Sequence, residues 1–432
     1  MFEPGGRGTR NRKVLDLRST RVPALPVLDP ATGEAIGQIP AGGVPEVNRS
    51  VAAARAAQRL WARNRPEGRG SLLKAGARRL RECARELAAL QTLEVGMPLS
   101  DSLGGVEAGI AAFEAYSELG PLGHGREPRG DLVLREPRGI VAILMPWSDP
   151  LAASCGALAA ALVSGNAVVL KPSEKAPLAA ARMVELLELG EVLQLVHGDE
   201  RAARPLSTHP AVDLVIRPDE EAAGSHLAII DEGVDPAWAA ERVAASAFAG
   251  AGQSCGSVER VHVHRAIAQP FADELVRRAR GLRVGRGTDP ETELGPVIDA
   301  DHRMWVHRQV QDAVYAGAEL LAGGVPLPGP GYFYPPTVLA GAPDDALVHC
   351  GETRGPVATI RVANSFRAAL SAQRVGLASV LTPSQAHAQT AWSELPARTV
   401  SINAVFRAPR TGAEPELLDA VTRAKVVHLA QT

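Results

Sequence analysis

The sequence predicts an α/β chain built of two doubly wound lobes, and three observations predict it. From residue 139 onward, short apolar runs alternate with helical stretches, the pattern of strand–helix–strand units whose right-handed crossovers build a parallel sheet. The runs GIVAIL, AVVL and HLAII are apolar on both faces, as a sheet covered by helices requires. The alternation also occurs twice, once up to DLVIRP and again from HLAIID, so two such lobes face each other with a cleft between them. Parallel sheets of this kind bind ligands beyond the carboxyl ends of their strands.

Length and composition agree. The 432 residues, 46% hydrophobic and 22% charged, suffice for two or three domains with large cores and exclude disordered, collagenous and disulfide-scaffold classes. A net charge of −2 offers no clustered basic surplus for nucleic acid. Residues 1–26 are polar and aperiodic and read as a disordered tail, with no apolar core of the signal-peptide type. Apolar residues three and four apart predict helices over 47–64, 69–96 and 107–119. A Gly- and Pro-rich break follows, and then DLVLREP (131–137), which alternates like an exposed strand.

The first lobe reads as GIVAILMP (strand), LAASCGALAAALVSG (helix), AVVLKPS (strand), APLAAARMVELLEL (helix), VLQLVHG and DLVIRP (strands). Residues 151–170 have the length of a membrane span, but their small residues and the SGN break favour a buried helix, a turn and a strand. The second lobe opens at HLAIID and continues into a helix with Asp235 as N-cap and Pro236 at its first position. RVHVHRAI (strand), PFADELVRRARGL (helix) and the strands VATIRV, ASVLTP and TVSIN complete it.

Cys83, Cys155, Cys255 and Cys350 form no CxxC pair, so neither a zinc site nor a disulfide framework is expected, and a reducing cytoplasmic setting fits. Cys83 and Cys155 lie in helical apolar patterns and read as core, while Cys350 sits in a loop. Cys255 lies in AGAGQSCGS, where glycines at 250, 252 and 256 leave its thiol poorly covered. Locally it reads either as a reactive nucleophile or as a small residue buried in a tight turn.

The surrounding text resembles the aldehyde dehydrogenase superfamily over nearly the whole chain. AGQSCGS resembles that family's nucleophile loop, DPATGE (29–34) its opening signature and MPWSDPL (145–151) its MPWNFP motif, while GNAVVLKPSEKAP (165–177) is close to verbatim. DPETELGPVI, GYFYPPTVL, GETRGPV, GLAS and SIN follow in the family's order. The resemblance implies two Rossmann-like lobes with a small oligomerisation hairpin. Its cofactor-binding domain would span 27–118 and 139–220, its catalytic domain 221–404, and its oligomerisation elements 119–138 and 405–432.

It further implies oxidation of a small aldehyde with NAD or NADP through a cysteine thiohemiacetal and thioester. The assembly implied is a homo-oligomer, or a hetero-oligomer with a paralogous dehydrogenase, without nucleic acid, membrane or metal. Residue by residue, Cys255 takes the place of the nucleophile, and Ser148 stands where the family's oxyanion-holding Asn would be. Glu221 stands in the general-base position, although DEE at 219–221 also reads as a solvated charged turn. On the cofactor side, Trp147 falls in the PWS motif, Lys171, Ser173 and Glu174 match the residues holding the adenosine ribose, and Glu352 matches the one holding the nicotinamide ribose.

The departures are specific. Arg354 replaces the family's Phe, and about one helix, roughly twenty residues, is missing between DLVIRP and Glu221, where a helix N-terminus would face the pyrophosphate. The C-terminal segment lacks the family's tunnel-lining motif. They imply weak dinucleotide binding and leave two alternatives: a pseudoenzyme serving as structural or regulatory subunit of an intact dehydrogenase, or a thiol retained for esterase-type acyl transfer.

Overall fold

The structure is a computed structural model that describes residues 23–119, 124–126, 132–218, 225–372, 375–406 and 415–428. It opens with an antiparallel hairpin, β1 (Ala24–Leu28) on β2 (Ala35–Pro40). Ala24–Pro26, assigned to the tail on polarity, therefore belong to a strand. Pairing with β2 satisfies their backbone, and Asp29 closes the turn by accepting the Ala31 N–H at 2.7 Å.

Four helices follow: α1 (Val44–Arg63), α2 (Pro66–Glu82), α3 (Ala84–Val95) and α4 (Leu99–Leu119). The single helix expected over 69–96 is two, because Cys83 leaves helical geometry at ψ 14°. Helix α3 ends on Gly96 at φ 86°, the left-handed cap a glycine adopts without strain. A four-stranded parallel sheet, in the order β7-β6-β5-β8, carries α1 directly on its strands, while α2, α3 and α4 pack on the helices that cover its other side. Its elements in chain order are β5 (Ile140–Leu144), α5 (Pro150–Val163), β6 (Ala167–Lys171), α6 (Leu178–Leu187), β7 (Leu193–Leu195), α7 (Glu200–Ser207) and β8 (Leu214–Ile216). Every residue of β6 is buried, which explains why its run is continuously apolar.

Helix α6 starts without a cap of its own. Glu94, fully buried on α3, supplies one: its two carboxylate oxygens accept the N–H groups of Leu178 (2.6 Å) and Ala179 (2.9 Å). Burial pushes this carboxyl up to about 8, against the pull of the two N–H groups. Between its ordinary value of 4.5 and about 8 the folded chain holds a proton that the unfolded chain has released, so stability falls as pH rises through that window. Thermal melts of the wild type should therefore fall from about pH 5 to about pH 8.5 more steeply than those of Glu94→Gln, which cannot ionise. Parallel slopes would show that Glu94 carries no such proton.

The second sheet has seven strands in the order β11-β12-β13-β10-β9-β14-β15. It comprises β9 (Ser225–Ile230), α8 (Pro236–Ala247), β10 (Val258–His264), α9 (Ala268–Gly281), α10 (Ala300–Tyr315), β11 (Glu319–Ala322), β12 (Thr337–Ala340), β13 (Val357–Ala363), β14 (Val375–Leu381) and β15 (Thr399–Ile402). Strand β11 is antiparallel to β12 and the remaining pairs are parallel. Asp235 caps α8 as expected, accepting the Trp238 N–H at 2.7 Å. The segments around 119–138 and 405–432 meet in a third sheet, β16 (Thr422–Val427) on β4 (Leu132–Pro137) on β3 (His124–Arg126).

From the end of β8 at Ile216 the chain reaches β9 at Ser225 through residues 217–224 alone. No helix of the described residues is long and apolar enough to cross a membrane.

Candidate active site

The candidate residues lie on two sheet edges. One is the carboxyl edge of the four-stranded sheet, where β5 runs into Trp147 and Ser148 and β6 into Lys171, Ser173 and Glu174. The other is the amino edge of the seven-stranded sheet, where the turn bearing Cys255 precedes β10 and the loop bearing Glu352 precedes β13. The edges are pinned together. Lys175 of the first lobe pairs with Asp299, the N-cap of α10, at 2.6 Å, and the Trp147 ring meets the His302 ring edge-on at 5.2 Å. Burial opposes ionisation of Asp299, but the Lys175 contact and the His302 N–H outweigh it and hold the carboxyl below its usual range.

The Cys255 turn is tightly fixed. Gly250, Ala251 and Gly252 all adopt left-handed backbone, at φ 54°, 57° and 66°. A side chain at Gly252 would strike the Gly355 carbonyl, its Cβ lying 2.1 Å from that oxygen, so the turn packs directly on the Glu352 loop. Gln253, buried, donates to the Gly250 carbonyl (3.1 Å) and accepts the Ile298 N–H (2.8 Å). Beyond the cysteine, the Gly256 carbonyl accepts from His226 Nδ1 at 2.8 Å, which fixes that tautomer and leaves Nε2 to accept from the Ser379 hydroxyl at 2.8 Å. Burial drives His226 down to about 4, so it stays neutral and acts as a fixed strut.

Held this way, Cys255 is half-buried, whereas Cys155 is sealed against Met183 with its thiol pushed up to about 12 by burial. Cys83 is half-buried and Cys350 exposed. Ser148 is buried beside Trp147. It is followed by Asp149 at φ 47°, which opens α5 and accepts from Gln91 at 3.1 Å. Lys171, buried, lies 3.4 Å from the more exposed Glu174, and the Ser173 hydroxyl accepts the Lys175 N–H at 3.3 Å. Glu352 accepts from Arg354 Nε at 2.8 Å, an ion pair in which both side chains are mostly covered.

The structure thus brings Trp147, Ser148, Lys171, Ser173 and Glu174 to one edge and Cys255 and Glu352 to the other. Glu221 lies outside the described residues. No group of three potential ligands among the described residues could hold a metal ion. Four residues of this region escape sequence reasoning: Glu259, His226, Asp149 and His302. The available signal was a polar ring beside an apolar run, HLAII, for His226; in VERVHVH, Arg260, His262 and His264 are polar as well and nothing singles out Glu259.

Two covered, largely parallel sheets joined edge to edge by the Lys175–Asp299 and Trp147–His302 contacts define a two-lobed α/β scaffold. The sequence profile of the aldehyde dehydrogenase family matches residues 18–217 and 217–414, dividing where β8 leaves the first sheet. The chain is 34% identical to an aspartate-semialdehyde dehydrogenase (non-phosphorylating) of Halomonas elongata, over 77% of this chain and 74% of that protein. It is 32% identical to a succinate-semialdehyde dehydrogenase of Paenarthrobacter nicotinovorans, over 76% of this chain and 81% of that protein. Among solved structures, betaine aldehyde dehydrogenase of Staphylococcus aureus in complex with NAD+ superposes with a TM-score of 0.88 at 25% identity, covering 94% of this chain and 91% of that one. The chain belongs to the aldehyde dehydrogenase family.

Proposed function

We propose that the protein oxidises an aldehyde to the carboxylic acid with NAD+ or NADP+, Cys255 acting as nucleophile. The observation that carries this reading is the half-buried Cys255 thiol, held by a fixed turn that packs on the Glu352 loop while Cys155 is sealed in the core. Semialdehydes of dicarboxylic acids are the first substrates to try, because the curated relatives bear those names.

The donor set suits a dinucleotide in part. Lys171 offers an ammonium and Glu174 a carboxylate, the pair that would donate to and accept from ribose hydroxyls beyond the end of β6, with Ser173 and Trp147 flanking them. Glu352 is the candidate for the second ribose, in competition with the guanidinium of Arg354. When bound, NAD(P)+ supplies the acceptor for the hydride of the aldehyde carbon.

The chain's own residues do the rest. The Cys255 thiolate forms the C–S bond while the carbonyl π pair moves to oxygen, and the Ser148 hydroxyl and the Cys255 N–H are the proposed donors to that oxyanion. After oxidation, water adds to the thioester carbon, a base takes its proton, and the C–S bond breaks to return the thiolate. Glu221 is the proposed base.

A second reading, a catalytically impaired subunit partnering an intact dehydrogenase, is favoured by the Arg354–Glu352 pair and by the short β8–β9 connection, which leaves little chain for a pyrophosphate-facing helix. Either way dinucleotide affinity should be low, with a Kd of roughly 0.1–1 mM by calorimetry. Micromolar binding would mean another phosphate cradle is present. The deciding experiment follows reduced-nicotinamide absorbance with succinic semialdehyde, aspartate semialdehyde and a short aliphatic aldehyde. Turnover by the chain alone supports the enzyme; turnover only with an added paralogue selects the subunit.

A further inference from the structure

Glu259 takes no part in the chemistry above, yet it is a carboxylate in β10, a strand whose seven residues are all buried. Its Oε1 accepts two successive N–H groups from the loop before β13, Thr353 at 2.6 Å and Arg354 at 3.0 Å, while its Oε2 is buried with no partner among the described residues. Consecutive N–H groups converging on one anion, with Arg354 in the left-handed region at φ 48°, form a backbone nest. That conformation costs a non-glycine residue about 1–2 kcal/mol and persists only where its surroundings enforce it. Here they do so from three sides. Glu259 holds the N–H groups, His302 Nε2 from α10 donates to the Arg354 carbonyl at 2.6 Å, and the next carbonyl, of Gly355, rests on Gly252 of the cysteine turn.

We infer that Glu259 is a positioning residue of the site: its carboxylate, seated in the Thr353–Arg354 nest, fixes the turn that carries Glu352 and Arg354 and backs the loop presenting Cys255. The seat is a matter of geometry, and its consequence for catalysis rests on the reading of Cys255 as nucleophile.

The charges facing Glu259 come from each neighbouring element. Burial and the Glu352 carboxylate work against its ionisation, while the Arg354 and Thr353 N–H groups and the Arg260 guanidinium favour it, leaving the carboxyl at about 7. From α10, the His302 imidazole is kept below its usual range chiefly by burial, and the Lys175–Asp299 pair adds one charge of each sign. A neutral acid accepts the two N–H bonds more weakly than a carboxylate. The nest should therefore loosen as pH falls through neutrality.

The test uses the full chain and the thiol itself. Pulses of iodoacetamide from about pH 6 to about pH 9 are read by mass spectrometry as the rate at Cys255 relative to Cys83, a control in the other lobe. In the wild type this ratio should show a step near neutrality beyond that of the two thiols' own ionisation. Glu259→Ala should shift the ratio about fivefold or more at every pH above the step. Glu259→Gln keeps an acceptor oxygen for both N–H groups but cannot titrate, so its ratio should run without the step.

A step retained in Glu259→Gln, or identical ratios in all three folded proteins, would overturn the inference. If Glu259→Ala does not fold, the glutamine profile decides alone. An aldehyde-oxidation assay on the wild type separates the two questions. A responsive thiol in a chain that oxidises no aldehyde would sustain the positioning role and sink the dehydrogenase reading, and an unresponsive thiol in an active enzyme would do the opposite.

Discussion

Cys255→Ala should abolish aldehyde-dependent formation of reduced nicotinamide, by about a thousandfold or more, while leaving the melting temperature within about 2 °C of wild type. The asymmetry follows from the environment of the thiol. Covalent catalysis divides a difficult hydride departure into steps that all pass through one sulfur, so no partial function remains when it is gone. The turn has supports that do not pass through that sulfur. The turn is held by Gln253 on Gly250 and Ile298, by His226 on Gly256 and by the contact of Gly252 with Gly355, none of which involves the Cys255 side chain.

Neither Cys155 nor Cys83 is placed to compensate. Cys155 is packed on Met183 with its thiol pushed up to about 12, and Cys83 sits at the break between α2 and α3 in the other lobe. Cys83→Ala is the matching control and should keep full turnover. If Cys255→Ala turned over at the wild-type rate, the nucleophile assignment would fall, and with it the mechanism built on Ser148 and Glu221.

Much of this arrangement is legible in the sequence because it rests on local rules. Doubly buried strands write themselves as apolar runs, and β5, β6 and β9 lie where the runs predict them. The Asp235–Pro236 start of α8 is a capping pattern with a mechanism, and the hydrogen bond to Trp238 realises it. The break at Cys83 was not legible, since the apolar period continues across it and a single residue's ψ decides the outcome. Strand β1 was missed for a related reason: a short edge hairpin carries few apolar residues, and its pairing with β2 is a tertiary fact.

The candidate site is proposed from sequence where a motif keeps its residues together, as in KPSE or QSC. It was illegible where function is assembled from distant segments. Glu259 reaches the Thr353–Arg354 turn across more than ninety residues of chain, and the bonds it makes are to backbone, which leaves no mark on the residue types it touches. The Lys175–Asp299 bridge and the Trp147–His302 contact likewise join the two lobes through pairs that no spacing rule connects.

The second large effect is expected at Ser148. This residue stands between Trp147, whose ring is fixed against His302, and Asp149, whose left-handed backbone turns the chain into α5. Ser148 therefore lies just before the amino end of a 14-residue helix, where N–H groups and the helix dipole favour developing negative charge. If that hydroxyl holds the oxyanion, its interaction strengthens only once the carbonyl oxygen becomes charged. Ser148→Ala should then lower kcat about ten- to a hundredfold with little change in KM for the aldehyde. Ser148→Asn, which offers an amide donor with longer reach, should match or exceed the wild-type kcat provided the buried position admits its extra atoms. A rise in KM with kcat unchanged, or no change in either for Ser148→Ala, would remove the hydroxyl from the transition state and leave the Cys255 N–H to hold the oxyanion alone. The split between kcat and KM, more than the size of the loss, separates a donor that acts in the transition state from a side chain that merely fills space.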